Sequence, residues 1–115
     1  MKLLEGISKV LVDEDVGGKI LDKIREILEQ SNIEVTEITK EQRELRGKDD
    51  KFIVEWAKNN GFDAILTGDY GMMREAIQRK LNVLLLLAYE AHNINILTRI
   101  IPIKGWRIEI EEFDF

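Results

Sequence analysis

The sequence predicts an α/β fold, a three-layer α/β/α sandwich with a mainly parallel central sheet, in a single domain over residues 1–115. Short apolar segments typical of strands alternate with longer segments whose apolar residues recur at helical spacing. This β-α-β-α-β-α-β order favours parallel strands joined by helices that cover both faces of the sheet. A chain of 115 residues with 44% hydrophobic content can build one core.

The first half of the predicted sheet consists of two strands joined by a helix. A mostly apolar, β-branched segment over residues 7–12 runs into Asp13-Glu14-Asp15 and predicts a buried strand that ends in an acidic turn. The helix that follows Gly17-Gly18 has an apolar stripe on one side and ends at Ser31-Asn32. The stripe consists of Ile20, Leu21, Ile24, Ile27 and Leu28. Alternation over residues 33–36 predicts the second strand.

The middle of the chain predicts a second helix. Residues 39–48 are polar, and a loop or a short helix is expected there. Asp49-Asp50 favours a helix N-terminus, because carboxylates there accept backbone N–H bonds and complement the helix dipole. Asn59-Asn60-Gly61 is a good C-terminal stop. The buried face of this helix is expected to be Phe52, Ile53, Trp56 and Ala57.

The last third of the chain predicts two more strands and a third helix. Residues 64–67 read as a short strand followed by Gly68-Asp69, and residues 83–87 read as a continuous apolar strand. The helix between them is marked by Met73, Ala76 and Ile77. A helix is one interpretation of residues 90–100, and residues 106–110 alternate as an edge strand does.

Composition limits the available chemistry to carboxylates, hydroxyls and amines. The absence of cysteine excludes disulfide scaffolds, thiolate zinc sites, iron–sulfur clusters and cysteine nucleophiles. The single histidine, His92, excludes sites that need two imidazoles and argues against a Ser–His–Asp arrangement. A net charge of −5 argues against a surface that holds nucleic acid by bulk attraction. It leaves open a local acidic pocket that binds a divalent metal.

The sequence also favours a cytoplasmic protein with no membrane segment. The longest uninterrupted apolar run, residues 83–89, is seven residues long and cannot cross a bilayer. The beginning of the chain is interrupted by Glu5 and Lys9, so it lacks the apolar centre of a signal peptide.

Acidic side chains follow two of the predicted strands. Asp13 comes directly after the first strand, Asp69 follows the third, and the helix at Asp49-Asp50 can bring a further carboxylate to the same edge. In an open parallel sheet, ligands bind at the carboxyl ends of the strands where the strand order reverses. Carboxylates that converge there repel one another unless a cation lies between them. Oxygen ligands suit Mg²⁺ or Mn²⁺, which catalyse phosphodiester hydrolysis.

Each acid also has a structural interpretation. For Asp49, Asp50 and Asp69 taken one at a time, capping of the following helix is favoured. Asp13-Glu14-Asp15 is different, because three acids directly after a buried strand repel one another in a way that a turn does not require, which favours a metal or catalytic role. Thr67 either binds a substrate phosphate, orients Asp69 or simply ends a strand.

Basic residues precede the second acidic segment and follow the third. They are Lys40, Arg43, Arg46 and Lys48, then Arg74, Arg79 and Lys80. They either flank a cleft and guide a phosphate backbone or are solvated surface charges, and Arg46 and Lys48 are the candidates for substrate contact. Gly47-Lys48 lacks the upstream glycine of a P-loop, and no G-x-G-x-x-G follows a strand, so no nucleotide cofactor is expected.

Three segments taken together resemble the PIN-domain superfamily. They are Leu11-Val12-Asp13-Glu14-Asp15, Gly47-Lys48-Asp49-Asp50 and Ile65-Leu66-Thr67-Gly68-Asp69. They are most similar to the short PIN-like branch, whose chains have a strand ending in Asp-Glu-Asn, a Gly-x-x-Asp helix start and a strand ending in Thr-x-Asp. The resemblance covers roughly residues 7–87. It implies an α/β/α sandwich and Mg²⁺- or Mn²⁺-dependent cleavage of single-stranded or structured RNA. It also implies the toxin role in a toxin–antitoxin pair, with an antitoxin protein as partner, and a homodimer.

The resemblance also assigns roles to the acids. It implies that Asp13 is the central metal ligand, that Asp50 or its neighbour Asp49 is the acid from the helix, and that Asp69 is the acid after the third strand. Asp15 stands where the family usually has Asn, and we expect it to contact metal or substrate. The family commonly has another acid two residues after the Thr-x-Asp aspartate, where this chain has Gly71. That loss would weaken a second metal site or leave a PIN-like shell without nuclease activity.

Three functions are therefore predicted from different classes. The leading one is a metal-dependent endoribonuclease. The second is a non-catalytic PIN-like module that binds nucleic acid or protein, supported by Gly71 and the acidic net charge. The third is a receiver-like phosphoacceptor, which also has acids after its first strand and an Asp after a later one. The separation of 56 positions between Asp13 and Asp69 is long for a receiver, and Asp49-Asp50 would be superfluous in one.

Overall fold

Strands and helices alternate as far as β4, and strands alone follow, in the computed structural model. The structure describes residues 6–91, 95–104, 107–108 and 111–114, with side chains for residues 6–86. The strands are β1 (Lys9–Val12), β2 (Glu34–Glu37), β3 (Ala64–Thr67), β4 (Asn82–Ala91), β5 (Asn95–Lys104), β6 (Arg107–Ile108) and β7 (Glu111–Asp114). The helices are α1 (Gly18–Gln30), α2 (Ile38–Glu41), α3 (Asp50–Asn59) and α4 (Tyr70–Gln78), with a 3-10 turn at Arg43–Leu45.

Four parallel strands form the part of the sheet that positions the candidate site. Their order is β2-β1-β3-β4, and the register places Val12 of β1 opposite both Glu37 of β2 and Leu66 of β3. The carboxyl ends of these three strands therefore lie at one edge. The chain leaves β1 toward β2 and returns on the other side of β1 as β3, so the strand order reverses between β1 and β3. This is the place where open α/β sheets bind ligands.

Two apolar cores, one on each face of the sheet, confirm the predicted three-layer α/β/α sandwich. Alternate side chains of a strand point to opposite faces, so Val10 and Val12 face one core and Leu11 faces the other. On the first face, α1 buries Leu21, Ile24 and Leu28 against the strands. The second face is covered by α3 and α4, whose buried residues include Ile53, Val54, Ala57, Met72 and Ala76.

The buried face of α3 differs from the one the sequence predicted. Phe52 was expected in the core but is 47% exposed, and Val54 is buried in its place. On α4, Ile77, one of the residues that marked the predicted helix, is 39% exposed, whereas Met72 and Ala76 are buried. The reason is that α3 and α4 contact each other as well as the sheet, which turns their buried faces toward the helix pair.

The helical interpretation of residues 90–100 was wrong. Strand β4 extends to Ala91, and β5 begins at Asn95 and pairs with it antiparallel from Ala91↔Asn95 to Val83↔Ile103. Backbone pairing along this long hairpin and the β-branched Ile96, Thr98 and Ile100 both favour a strand over a helix here. Strands β6 and β7 both pair antiparallel with β5, so the prediction of a strand after residue 106 is confirmed for Arg107–Ile108. His92, Trp106 and residues 109–110 lie outside the described residues. None of the helices in the described part of the chain has the length and apolar composition needed to cross a lipid bilayer.

Candidate functional site

The centre of the candidate site is a buried hydrogen bond between the turn after β1 and the end of β3. Asp13 is 5% exposed, and its backbone N–H donates to the Leu66 carbonyl at 2.9 Å, which continues the pairing beyond the strand. The Thr67 hydroxyl donates to Asp13 Oδ2 at 2.8 Å, and the Glu14 N–H donates to Asp13 Oδ1 at 2.9 Å. Both oxygens of the Asp13 carboxylate are therefore held in place by this chain.

Asp15 is the second acid beside Thr67 and forms a pair with Asp13. Its Oδ2 accepts a 3.1 Å hydrogen bond from the Gly68 N–H, and its Oδ1 lies 3.5 Å from Thr67 Oγ1. A Cβ on Gly68 would lie 3.2 Å from Asp15 Oδ2, so the glycine permits this close approach. Thr67 also accepts a hydrogen bond from the Asp69 N–H at 3.0 Å. One hydroxyl thus positions Asp13 and the backbone of Asp69, and the predicted role of Thr67 as an orienting residue extends to Asp13.

A second pair of acids lies where the N-termini of α3 and α4 meet. Asp69 caps α4, since its Oδ1 accepts a 2.8 Å hydrogen bond from the Gly71 N–H. A Cβ on Gly71 would lie 3.0 Å from Asp50 Oδ2 and 3.3 Å from Asp69 Oδ1. Both carboxylates therefore approach the position where the PIN-like resemblance leads one to expect another acid, and a side chain there would displace the end of Asp50.

The structure distinguishes Asp49 from Asp50. Asp49 is the N-cap of α3, and its Oδ1 accepts a 2.8 Å hydrogen bond from the Phe52 N–H. Asp50, the first residue of α3, is the one that approaches Gly71 and Asp69. The capping interpretation therefore fits Asp49, whereas Asp50 joins the acidic cluster, by which we mean Asp13, Asp15, Asp50 and Asp69.

The electrostatics of the cluster are unfavourable for four negative charges. Burial raises the pKa of Asp13 to about 7; the nearby charge of Asp15 adds to this, and the hydrogen bonds from Thr67 and Glu14 oppose it. Burial also raises the pKa of Asp50, with smaller contributions from Asp69, Glu75, Asp49 and Asp15. Since Asp15 acts on both Asp13 and Asp50, the two pairs of acids share one electrostatic field.

Glu75 contributes to this field and was not predicted. It lies one helical turn after Gly71 on α4, so it faces the same side of the helix, and it forms an ion pair with Arg79. Helical spacing from the Thr-x-Asp motif is the signal that could have identified it.

The cluster is not arranged as a preformed cage. Within residues 6–86, no group of three or more carboxylates converges closely enough to hold one ion. The donor set is nevertheless composed of carboxylate and hydroxyl oxygens, which suits Mg²⁺ or Mn²⁺. The raised pKa values of Asp13 and Asp50 express a desolvation and repulsion that a cation among these acids would relieve. The donor types of these residues therefore fit a divalent cation, and the acids would have to move closer together to hold one.

The loop before α3 brings basic residues to the acidic turn. The Gly47 N–H donates to Glu14 Oε1 at 3.2 Å, and Arg46 Nε lies 4.0 Å from Glu14 Oε2. Lys48 Nζ lies 5.6 Å from the centre of the Phe52 ring at the start of α3. Arg46 and Lys48 thus border the cluster. Lys40 and Arg79 pair with acids elsewhere, namely Glu37 for Lys40 and Glu55 and Glu75 for Arg79.

A buried acid at the end of β2 has a structural role. The side chain of Glu37 is 4% exposed and forms an ion pair with Arg25 of α1, which also hydrogen-bonds Glu29 and the Val35 carbonyl. These carboxylates, Glu29 first, raise the pKa of Arg25. Glu37 also follows the pattern that identified Asp13 and Asp69, an acid at the end of a strand. It differs from the acids of the cluster because its charge is paired with that of Arg25.

Two clefts on the surface of residues 6–86 lie outside the acidic cluster, and none of its four acids lines either of them. One of about 340 Å³ lies on the α1 side of the acidic turn, between Glu14 and Glu37. The other, of about 350 Å³, is lined by Glu55, Lys58, Asn59 and Arg79, away from the carboxyl ends of the strands.

Comparisons of the chain with family models, with curated proteins and with solved structures found no match. The resemblance to the PIN-like branch therefore stays a prediction that rests on the residues of the three motifs.

Proposed function

We propose that this protein is a Mg²⁺- or Mn²⁺-dependent endoribonuclease whose site is the acidic cluster. The observation that carries the proposal is the buried bond between Thr67 and Asp13 at the reversal of strand order, with Asp15, Asp50 and Asp69 around it. A fold does not require this arrangement, because keeping Asp13 ionised in a desolvated position costs stability. Groups with strongly shifted pKa values concentrate at functional sites.

The acids would bind the metal, and Thr67, Arg46 and Lys48 would have separate roles. Asp13 and Asp15 would hold the metal from the β1 side, and Asp50 and Asp69 from the helix side. When bound, such an ion activates water and stabilises the leaving oxygen of a phosphodiester. Thr67 fixes the orientation of the Asp13 carboxylate, so this ligand needs no rearrangement on binding. Arg46 and Lys48 provide positive charge for the substrate's phosphates beside an otherwise acidic surface.

The cytoplasmic location, the antitoxin partner and the homodimer come from the sequence and from the PIN-like resemblance, and they stay predictions. The receiver-like alternative also stays a prediction, and transfer of phosphate to Asp69 from a small phosphodonor would test it.

The direct test is cleavage of end-labelled RNA in Mn²⁺ by the wild type, by Asp13→Asn and by Glu26→Gln. Glu26 is an exposed acid on α1, so its variant controls for the loss of one charge. We expect cleavage by the wild type and by Glu26→Gln and its loss in Asp13→Asn. Cleavage that persists in Asp13→Asn would show that the activity belongs to another site or to a contaminant.

A non-catalytic module is the second candidate, favoured by one observation. One carboxylate oxygen of Asp69 already accepts the capping hydrogen bond from the Gly71 N–H at the start of α4, and Gly71 itself supplies no acid. Calorimetric titration with Mn²⁺ separates the candidates: the nuclease requires binding that Asp13→Asn abolishes. Absence of both metal binding and cleavage across several RNAs would favour the module.

A further inference from the structure

Two exposed aromatic rings lie near the acidic cluster. The exposed large apolar side chains among residues 6–86 are Phe52, Tyr70 and Ile77, at 47%, 55% and 39% exposure. Tyr70 is the first residue of α4 and directly follows Asp69. Phe52 lies two residues after Asp50 in the first turn of α3. Two of these three side chains are aromatic rings, and both are close in sequence to acids of the candidate site, Phe52 to Asp50 and Tyr70 to Asp69.

Helix geometry turns both rings out of the contact between Asp50 and Gly71. Asp50 faces Gly71, so Phe52, two positions further along α3, points to the far side of that helix. Tyr70 precedes Gly71 by one position and therefore lies about 100° around α4 from the side that faces α3. A polynucleotide that crosses the N-termini of α3 and α4 would pass both rings as well as the acids.

Charge near the rings suits a phosphate backbone. Lys48 Nζ lies 5.6 Å from the centre of the Phe52 ring, near the outer limit of a cation–π contact, and its side chain is exposed. It can therefore turn to a phosphate and leave the ring to a base. Arg74 is exposed one helical turn after Tyr70, on the same side of α4. Each ring thus has a basic residue four positions away in sequence, Lys48 before Phe52 and Arg74 after Tyr70.

We propose that Tyr70 and Phe52 stack on unpaired bases beside the acidic cluster and make the site select single-stranded over duplex RNA. The inference rests on the proposed function, since it places substrate at that site. Stacking on an aromatic ring needs an exposed base face, which a duplex does not offer. It is also tolerant of sequence, because every base has such a face.

The test measures binding without cleavage. Fluorescein-labelled oligouridylate of 12 nucleotides and a fully paired RNA hairpin are titrated in Ca²⁺ and followed by fluorescence anisotropy. We expect the single strand to bind tighter than the hairpin and Tyr70→Leu to weaken its binding about tenfold, the order of one lost base stack. Phe52→Leu should give a similar loss. Tyr70→Trp, which keeps a ring, should bind as the wild type does, and Ile77→Ala is the control for an exposed apolar residue away from the acids.

An oligonucleotide with abasic linkers gives a readout that a purely structural role would not change. It should bind wild type and Tyr70→Leu equally, because the ring then has no base to contact. Equal binding of hairpin and single strand, unchanged binding by Tyr70→Leu, or no binding by the wild type would each overturn the proposal. The nuclease proposal fails in a different way. Binding in Ca²⁺ that depends on the rings, without cleavage in Mn²⁺, would contradict the nuclease activity and still support stacking by the two rings.

Discussion

The Thr67 hydroxyl donates a 2.8 Å hydrogen bond to the Asp13 carboxylate across 54 residues of sequence, and both side chains are buried. The bond joins the ends of β1 and β3, and the same hydroxyl accepts from the Asp69 N–H. It therefore connects the first and third acidic motifs of the chain.

Removal of this hydroxyl should leave the Asp13 carboxylate with one fewer donor. We expect Thr67→Val to lower the free energy of unfolding at pH 8 by about 1–3 kcal/mol, the usual cost of a lost hydrogen bond to a buried charge. It should also raise the pKa of Asp13, because the Thr67 bond favours the ionised form. Urea unfolding and a carboxyl ¹³C titration measure the two effects. Thr67→Ser, which retains the hydroxyl, is the control. If Thr67→Val and Thr67→Ser have the same unfolding free energy and the same Asp13 pKa, the hydroxyl does not stabilise the Asp13 carboxylate.

The pKa of Asp13 predicts how stability depends on pH in the absence of metal. The folded state holds this proton with a pKa of about 7, against 3.8 for an unperturbed group. The folded state therefore binds more protons between these values, so the Asp13 contribution is present below pH 4 and is lost as pH rises through 7. We expect a loss of roughly 2–4 kcal/mol over that range in EDTA.

Asp13→Asn should remove most of this dependence. The Asn amide can accept from the Glu14 N–H and donate to Thr67 Oγ1, so the variant keeps both contacts without a buried charge. It should be more stable than the wild type at pH 8, and the two proteins should approach each other near pH 5. A wild type whose unfolding free energy rises from pH 5 to pH 8 in EDTA would contradict the raised pKa of Asp13.

Gly71 offers a test of how the acids are spaced. It lies in the first turn of α4, where alanine is favoured over glycine by about 1 kcal/mol. The added methyl would lie 3.0 Å from Asp50 Oδ2, the mobile end of a side chain that can turn away. We therefore expect Gly71→Ala to unfold at equal or higher urea concentration than the wild type and to bind Mn²⁺ more weakly, because Asp50 is displaced.

Gly17→Ala is the matched control, because a Cβ at Gly17 meets nothing within 4 Å. It should leave Mn²⁺ binding unchanged. Calorimetry that gives Gly71→Ala the same Mn²⁺ affinity as the wild type would show that Asp50 does not contribute to metal binding.

The sequence predicted those parts of the site that depend on short segments of the chain. The apolar segments before Asp13 and Asp69 are short buried strands, and parallel pairing brings their carboxyl ends together, so the edge that holds these acids followed from the sequence. The contact of Asp50 with Gly71 did not, because it depends on how α3 and α4 pack. For the same reason Phe52 was placed in the core although it is exposed.

The largest error in the fold concerns residues 95–100, which pair antiparallel with the edge of β4. Their alternating Ile96, Thr98 and Ile100 already favour a strand, so the helical interpretation gave this local signal too little weight. The ion pair of Arg25 with Glu37 is different, because it joins α1 to β2 and neither residue's neighbours in sequence indicate it. Such a contact is determined by the packing of the folded chain.

Asp63 provides a structural acid with the opposite pH dependence from Asp13. Its Oδ2 accepts hydrogen bonds from the Ser8 hydroxyl at 2.6 Å and from the N–H groups of Ser8 and Lys9 at 2.9 Å, which ties the start of β1 to the residue before β3. These bonds, that of the Ser8 hydroxyl first, lower the pKa of Asp63 below its ordinary 3.8. The stabilisation it contributes is therefore present above pH 4 and is lost as pH falls through the lowered pKa.

Asp63→Asn should lower the free energy of unfolding at pH 7 by about 1–3 kcal/mol, since hydrogen bonds to a charged acceptor are replaced by weaker ones. The difference from the wild type should shrink toward pH 2, as the pH falls through the lowered pKa of Asp63. Urea unfolding at the two pH values measures it, with Asp22→Asn, an exposed acid on α1, as the control. Because Asp63 lies at the opposite end of the strands from the acidic cluster, Mn²⁺ binding should not change. A penalty of equal size at pH 2 and pH 7 would show that Asp63 acts through the packing of its side chain and not through its charge.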